Sequence, residues 1–161
     1  MGKELKTNAM RILEKNQVSY EMYQYESDGF LDGVTVATKL SLPLDRTFKT
    51  LLAQGKSKEY LVYVIPVNEE LDLKNAAKAA GEKSVELIPV KDITAVSGYV
   101  RGGCSPIGMK KRYRTFVHCS ASNAGDIIVS GGRLGTQIRL SVTDLVTIIG
   151  AKLADITFHE K

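Results

Sequence analysis

Two apolar runs, residues 48–54 and 60–67, flank the polar pentapeptide Gly55-Lys56-Ser57-Lys58-Glu59. Runs this short, rich in Leu, Val, Tyr and Ile and bounded by turn residues, read as two adjacent strands around a turn. The chain must therefore build a sheet and find helices to cover it.

The flanking sequence supplies both. Residues 7–16 place Met10, Leu13 and Ile12 near one helical face, with Lys and Glu elsewhere, and read as an amphipathic helix. Residues 19–25 alternate and are aromatic, as a strand would be. Asp28-Gly29 and Asp32-Gly33 mark turns before a short helix through Val36, Ala37 and Leu40, ended by Leu42-Pro43. Residues 72–80 are Ala- and Lys-rich and stop on Gly81, which is helix chemistry. A short helix is expected over 90–96, leading into Ser97-Gly98.

Strands are expected at 115–119, 126–129, 137–140 and 154–158. Ser141-Val142-Thr143-Asp144 has the form of a capping box for a helix over 145–150. Helices and strands are interspersed without strict alternation. The expected fold is α/β in the α+β sense: a single domain over residues 1–161 with a mixed sheet flanked by helices.

A chain of 161 residues with 43% hydrophobic and 25% charged residues is an ordinary globular length and composition. The net charge of +4 leans weakly towards polyanionic partners. Two cysteines, Cys104 and Cys119, form no Cys-x-x-Cys pair, so no metal site is expected. The first residues lack an apolar secretory core and no run approaches a membrane span, which points to the reducing cytoplasm and away from a membrane.

Two glycine-rich loops are the places where chemistry is expected. In the first, residues 98–108, Gly102 and Gly103 precede Cys104-Ser105-Pro106-Ile107-Gly108. Consecutive glycines let backbone N–H groups approach an anion or oxyanion without β-carbon interference, although Gly and Pro also punctuate purely structural turns. The second, Ser130-Gly131-Gly132-Arg133-Leu134-Gly135, lies between strands and matches neither dinucleotide nor phosphate-loop context.

Lys49 is a charged residue inside an apolar strand. It is either a solvated side chain whose stem covers apolar surface or a cation aimed into a cleft. Cys104 invites a nucleophilic role, but activation needs a base, and His118 and His159 are the imidazoles available. A small loop-filling Cys is the competing reading. The basic run Lys110-Lys111-Arg112-Tyr113-Arg114 follows the first loop, as a solvated entry to a strand or as a contact for phosphates.

Taken together, Gly102 to Gly108, Ser130-Gly131-Gly132 followed by Gln137-Ile138-Arg139-Leu140, and the strand Phe48-Lys49-Thr50-Leu51 resemble the YbaK/EbsC family. That family includes bacterial Cys-tRNA(Pro) deacylases and is related to the editing domain of bacterial prolyl-tRNA synthetases. The resemblance implies a highly curved mixed sheet and hydrolysis of a mischarged aminoacyl-tRNA. It places the shared Lys at Lys49, orienting the 3′-terminal adenosine, and assigns the carbonyl-holding amides to Gly102 and Gly103. Tyr25, Thr50, Cys104, Ser105, Pro106, Ser130, Gly131 and Gln137 are then expected to bind substrate, and Lys110, Lys111, Arg112 and Arg133 to bind tRNA.

In cysteine-specific members the substrate's own thiol is thought to attack its ester, so the resemblance implies no protein nucleophile, and no cofactor is expected. Some members carry Asp at the position of Gln137 and commonly an acidic residue at Arg139, which puts cysteine specificity in question here. The expected partners are tRNA(Pro) charged with the wrong amino acid and, through docking, prolyl-tRNA synthetase. Deacylation of another small residue such as Ala, or a non-catalytic tRNA- or synthetase-binding module, are the alternatives.

Overall fold

The computed structural model describes residues 6–27 and 29–158; Asp28 and His159, both noted above, lie outside them. Helix α1 (Asn8–Lys15) starts where Thr7 Oγ1 accepts the Met10 N–H, and buries Ala9, Met10 and Leu13. Strand β1 (Glu21–Gln24) follows, then α2 (Gly33–Lys39), whose N-cap is Asp32. The expected pair of strands is β2 (Phe48–Gly55) and β3 (Tyr60–Pro66), antiparallel with Lys49 opposite Ile65 and Thr50 opposite Val64.

Helix α3 (Leu73–Ala80) is capped by Asp72 and ended by Gly81 at φ 70°, the left-handed conformation that glycine adopts without a β-carbon penalty. Strand β4 (Val85–Leu87), a 3-10 turn (Val90–Asp92) and α4 (Ile93–Ser97) lead into the first glycine-rich loop. The second half runs β5 (Arg114–His118), α5 (Ala121–Ala124), β6 (Asp126–Ser130), β7 (Thr136–Ser141), α6 (Val142–Ile149) and β8 (Lys152–Ala154). The expected Ser141 cap is present, its hydroxyl accepting the Asp144 N–H at 3.3 Å.

The mixed sheet is realised in two parts. One has the order β4-β2-β3-β5-β8, with β2 antiparallel to β3 and β4, and β5 parallel to β3 and β8. The other is antiparallel in the order β1-β7-β6. A parallel bridge, Thr47 to Ile128, joins them at the start of β2.

Period-2 alternation sends the two faces of the five-stranded sheet into different cores. Ala53, Leu61, Tyr63, Ile65 and Phe116 pack under α3, where the buried Tyr63 donates its hydroxyl to the Ala76 carbonyl at 2.9 Å. Phe48, Leu52, Val62, Val64 and Val117 face the second core, shared with the three-stranded sheet, α1 and α6. Burying a Val, Leu, Ile or Phe side chain in these cores contributes about 1.5–3 kcal/mol. The last strand differs from expectation: β8 ends at Ala154, and Thr157 instead bridges to Leu71. Among the described residues no helix is long and apolar enough to cross a membrane.

Candidate active site

The site lies where β2 parts company with its neighbours on one edge. At Thr47 it touches β6, and from Ala53 it pairs with β4, after Leu52 has accepted the Ile88 N–H at 3.1 Å. Residues 49–51 have no strand partner on that side. A cleft of about 500 Å³ opens there, within the range of small-molecule sites.

Of the residues singled out in the sequence, this cleft brings together Lys49, Thr50, Gly102, Cys104, Ser130 and Gln137. Lys49 is half-buried and makes no ion pair or hydrogen bond among the described residues. Burial pulls its pKa below the ordinary lysine value, with Glu70 and Asp32 pulling the other way. Thr50 Oγ1 is buried without a hydrogen-bond partner among the described residues. A hydroxyl left so costs about 1–3 kcal/mol, which a fold tolerates where a ligand completes the bond.

Gly102, at φ 84°, lines the cleft, and a β-carbon there would stand 2.8 Å from Leu134 Cδ2 and 3.0 Å from Phe30 Cδ1. The N–H groups of Gly102 and Cys104 take no part in the hydrogen bonds among the described residues. They are the amides this loop can offer a carbonyl oxygen. The Cys104 thiol is pushed up to about 11 by burial, so it is protonated at neutral pH and a poor nucleophile. His118 does not serve it: Nδ1 accepts the Ile156 N–H at 3.2 Å and Nε2 lies 3.3 Å from Thr157 Oγ1, beyond β8.

Other expected site residues sit behind or beside the cleft. Gly103 is buried, and its N–H is committed to the Val100 carbonyl at 2.9 Å, so it is not an available carbonyl donor. Ser105 is fully buried, its hydroxyl accepting the Ile107 N–H at 3.2 Å. Gly131 closes on Thr136, and its carbonyl accepts the Thr7 hydroxyl at 2.6 Å. Tyr25 backs the second loop by donating its N–H to Gly135, and Arg133 Nε donates to Thr136 Oγ1 at 3.1 Å. Position in a loop fixes which side a residue faces only through its tertiary path.

Pro106, Lys110, Lys111 and Arg112 line a separate groove of about 220 Å³ on the other side of the same loop, walled by Ile148 and Ile149 of α6. The sequence reading missed Phe30, Asp32 and Arg101, all in the cleft wall. Arg101 stacks its guanidinium on Phe30 at 4.0 Å. Their signals were a lone aromatic in a Gly/Asp-rich turn and a cation inside a glycine loop. Asp32 caps α2 by accepting the Thr35 N–H and hydroxyl, which hold its carboxyl below the usual range.

The aminoacyl-tRNA editing domain model matches residues 32–148, which covers α2 through most of α6 and most of the cleft lining. The chain belongs to the aminoacyl-tRNA editing domain family. Over 156 residues it is 44% identical to the Enterococcus faecalis protein named as the Cys-tRNA(Pro)/Cys-tRNA(Cys) deacylase EbsC, covering 96% of this chain and 95% of that one. It is also 29% identical over 91 residues to a proline–tRNA ligase of Brachyspira hyodysenteriae, a match to 56% of this chain and 16% of the ligase.

Solved structures agree on the fold. The hypothetical protein APE2540 superposes with a TM-score of 0.84 at 20% identity, over 94% of this chain and 99% of that one. A structure described as a trans-editing enzyme for prolyl tRNA synthetase gives 0.81 at 17% identity, over 97% and 100%. In this member of the family, Lys49 and both glycine-rich loops border one cleft.

Among the described residues one trio, His118, Cys119 and Asp155, has ligand-type atoms within 4.8 Å of one another. Both His118 nitrogens are engaged by Ile156 and Thr157, and the trio lies apart from the cleft.

Proposed function

We propose that this chain is a freestanding editing domain that acts in trans, hydrolysing the ester of a mischarged aminoacyl-tRNA in the cytoplasm, with Cys-tRNA(Pro) as its first substrate. One observation carries the reading. The cleft offers a half-buried ammonium, unpaired amides and an unpartnered hydroxyl, yet among the described residues its wall holds no imidazole, a protonated Cys104 thiol and a carboxylate committed to a helix cap. Such a site binds and polarises an ester and leaves the nucleophile to the substrate.

In the proposed reaction the cysteine thiol of the substrate attacks its own ester carbonyl. The carbonyl oxygen gathers negative charge, which the Gly102 and Cys104 amides are placed to accept. The terminal ribose hydroxyl leaves with a proton, and water opens the resulting cyclic thioester to free cysteine. Lys49 holds the phosphate or ribose end, while Thr50, Ser130 and Gln137 supply the remaining polar contacts.

Lys110, Lys111 and Arg112 are exposed around the groove behind the first loop and give the polyanionic remainder of the tRNA a path. Prolyl-tRNA synthetase is the proposed docking partner, from the kinship to its editing region.

Gln137 favours a second substrate for the same hydrolysis, one that has no thiol and would need an activated water. Gln keeps the hydrogen bonding of the Asp found there in some relatives but not its charge, so cysteine need not be the preferred residue and Ala becomes the rival. The test is a deacylation panel of Cys-tRNA(Pro), Cys-tRNA(Cys) and Ala-tRNA(Pro), each with and without prolyl-tRNA synthetase. Rapid loss of the Cys esters alone supports thiol assistance; equal loss of the Ala ester overturns it.

A further inference from the structure

Phe30 is 48% exposed and belongs to neither core, although it lines the cleft. One face of its ring is covered by Arg101, whose Cζ lies 4.0 Å from the ring centroid. The ring edge rests against Gly102, where a β-carbon would come within 3.0 Å of it. The aromatic is thus held from the side by the substrate loop and from one face by a cation. It is not a side chain left in solvent by default, because ordering it this way needs both neighbours.

We propose that Phe30, backed by Arg101, is the stacking platform for the nucleobase of the substrate's terminal nucleotide. This deepens the function proposed above and rests on it for the identity of the substrate. An aminoacyl ester entering the cleft brings its amino acid and ribose towards Lys49 and the amides, and the base that follows is the largest flat surface still seeking cover. Every base presents a π-face, so stacking on an aromatic side chain holds it without reading its hydrogen-bond edge. The guanidinium on the far side of the ring completes a cation–aromatic–base sandwich and adds positive charge beside the nucleotide's phosphate. Phe30 would then fix how deep the ester sits, while Lys49 and the amides act on it.

The chain contains no tryptophan, so Phe30→Trp installs a single fluorescent reporter at the platform. The probes are uncharged tRNA(Pro) with its terminal adenosine intact and the same tRNA with an abasic terminal ribose. The intact tRNA is expected to quench the indole, the abasic one to bind without comparable quenching, and Arg101→Met in the same background to weaken the intact complex. Equal quenching by both tRNAs, or quenching by neither, overturns the proposal. In steady-state deacylation Phe30→Ala is expected to raise KM roughly 5- to 150-fold, the range of a lost base stack. An unchanged KM also overturns it. Base-dependent quenching in a protein that deacylates no charged tRNA removes the function and leaves the platform. Deacylation with base-independent quenching does the reverse.

Discussion

A β-carbon on Gly103 would stand 2.8 Å from both the Cα and the carbonyl carbon of Arg133, so the two glycine-rich loops meet main chain to main chain. The N-terminus of α1 ties the same pair together, with the Thr7 hydroxyl on the Gly131 carbonyl and the Asn8 amide on the Gly108 carbonyl at 2.8 Å. Backbone cannot swing aside as a flexible side chain does. Gly103→Ala is therefore expected to destabilise the fold by about 1–3 kcal/mol and to lower deacylation at least about tenfold by displacing the Gly102 and Cys104 amides. Denaturant melts and single-turnover kinetics check the two effects separately.

Thr50 predicts an opposite pairing of effects. Thr50→Val removes a buried hydroxyl without a partner and keeps the shape. The variant is expected to be as stable as the parent or up to about 1–3 kcal/mol more stable, while losing activity. A loss of both stability and activity would mean that the hydroxyl serves the fold.

Burial lowers the Lys49 pKa in the folded chain. The unfolded chain then binds the extra proton between the two values, so this group makes stability rise as pH climbs through that window and costs stability below it. Lys49→Met is expected to be more stable than the parent near neutral pH, by a margin that narrows as pH approaches the ordinary lysine range. Its deacylation should fall by about 100-fold or more, as for a substrate that is no longer held in its reactive position. Urea melts across that pH range and deacylation at neutral pH check both.

The protonated Cys104 thiol predicts indifference. Cys104→Ala should retain deacylation within about threefold, whereas loss of a true thiolate nucleophile costs orders of magnitude. Product formation under single-turnover conditions distinguishes the two.

Much of the fold was legible because its strongest signals are local. The β2–β3 pair came from two apolar runs around a polar turn, α3 from Asp72 and Gly81, and α6 from the Ser141 cap. Strand β4 and helix α5, with three and four residues, are too short to show a period. Strand β8 was expected too late because residues 152–158 alternate weakly and Thr157 finds its own partner in Leu71.

Lys49, Thr50 and Gly102, singled out in the sequence, do border one cleft. That Gly103, Ser105 and Pro106 turn away from the cleft was not legible, since their N–H, hydroxyl and ring are directed by Val100, Ile107 and the second groove. Phe30 and Arg101 escaped for a related reason: they are far apart in sequence and acquire meaning only once stacked.

The basic groove predicts how affinity responds to salt. Neutralising Lys110, Lys111 and Arg112 should raise KM for charged tRNA and flatten the dependence of log affinity on log salt by about 0.7–0.9 for each phosphate that is no longer neutralised. Titrations of uncharged tRNA at several salt concentrations measure that slope. An unchanged slope would place the tRNA elsewhere.

The most direct measurement is single-turnover hydrolysis of Cys-tRNA(Pro) by the purified protein beside its Lys49→Ala variant. The parent should release cysteine far faster than buffer, and the variant should fall back to the buffer rate with unchanged circular dichroism. Full activity in Lys49→Ala, or a parent no faster than buffer, would contradict the account.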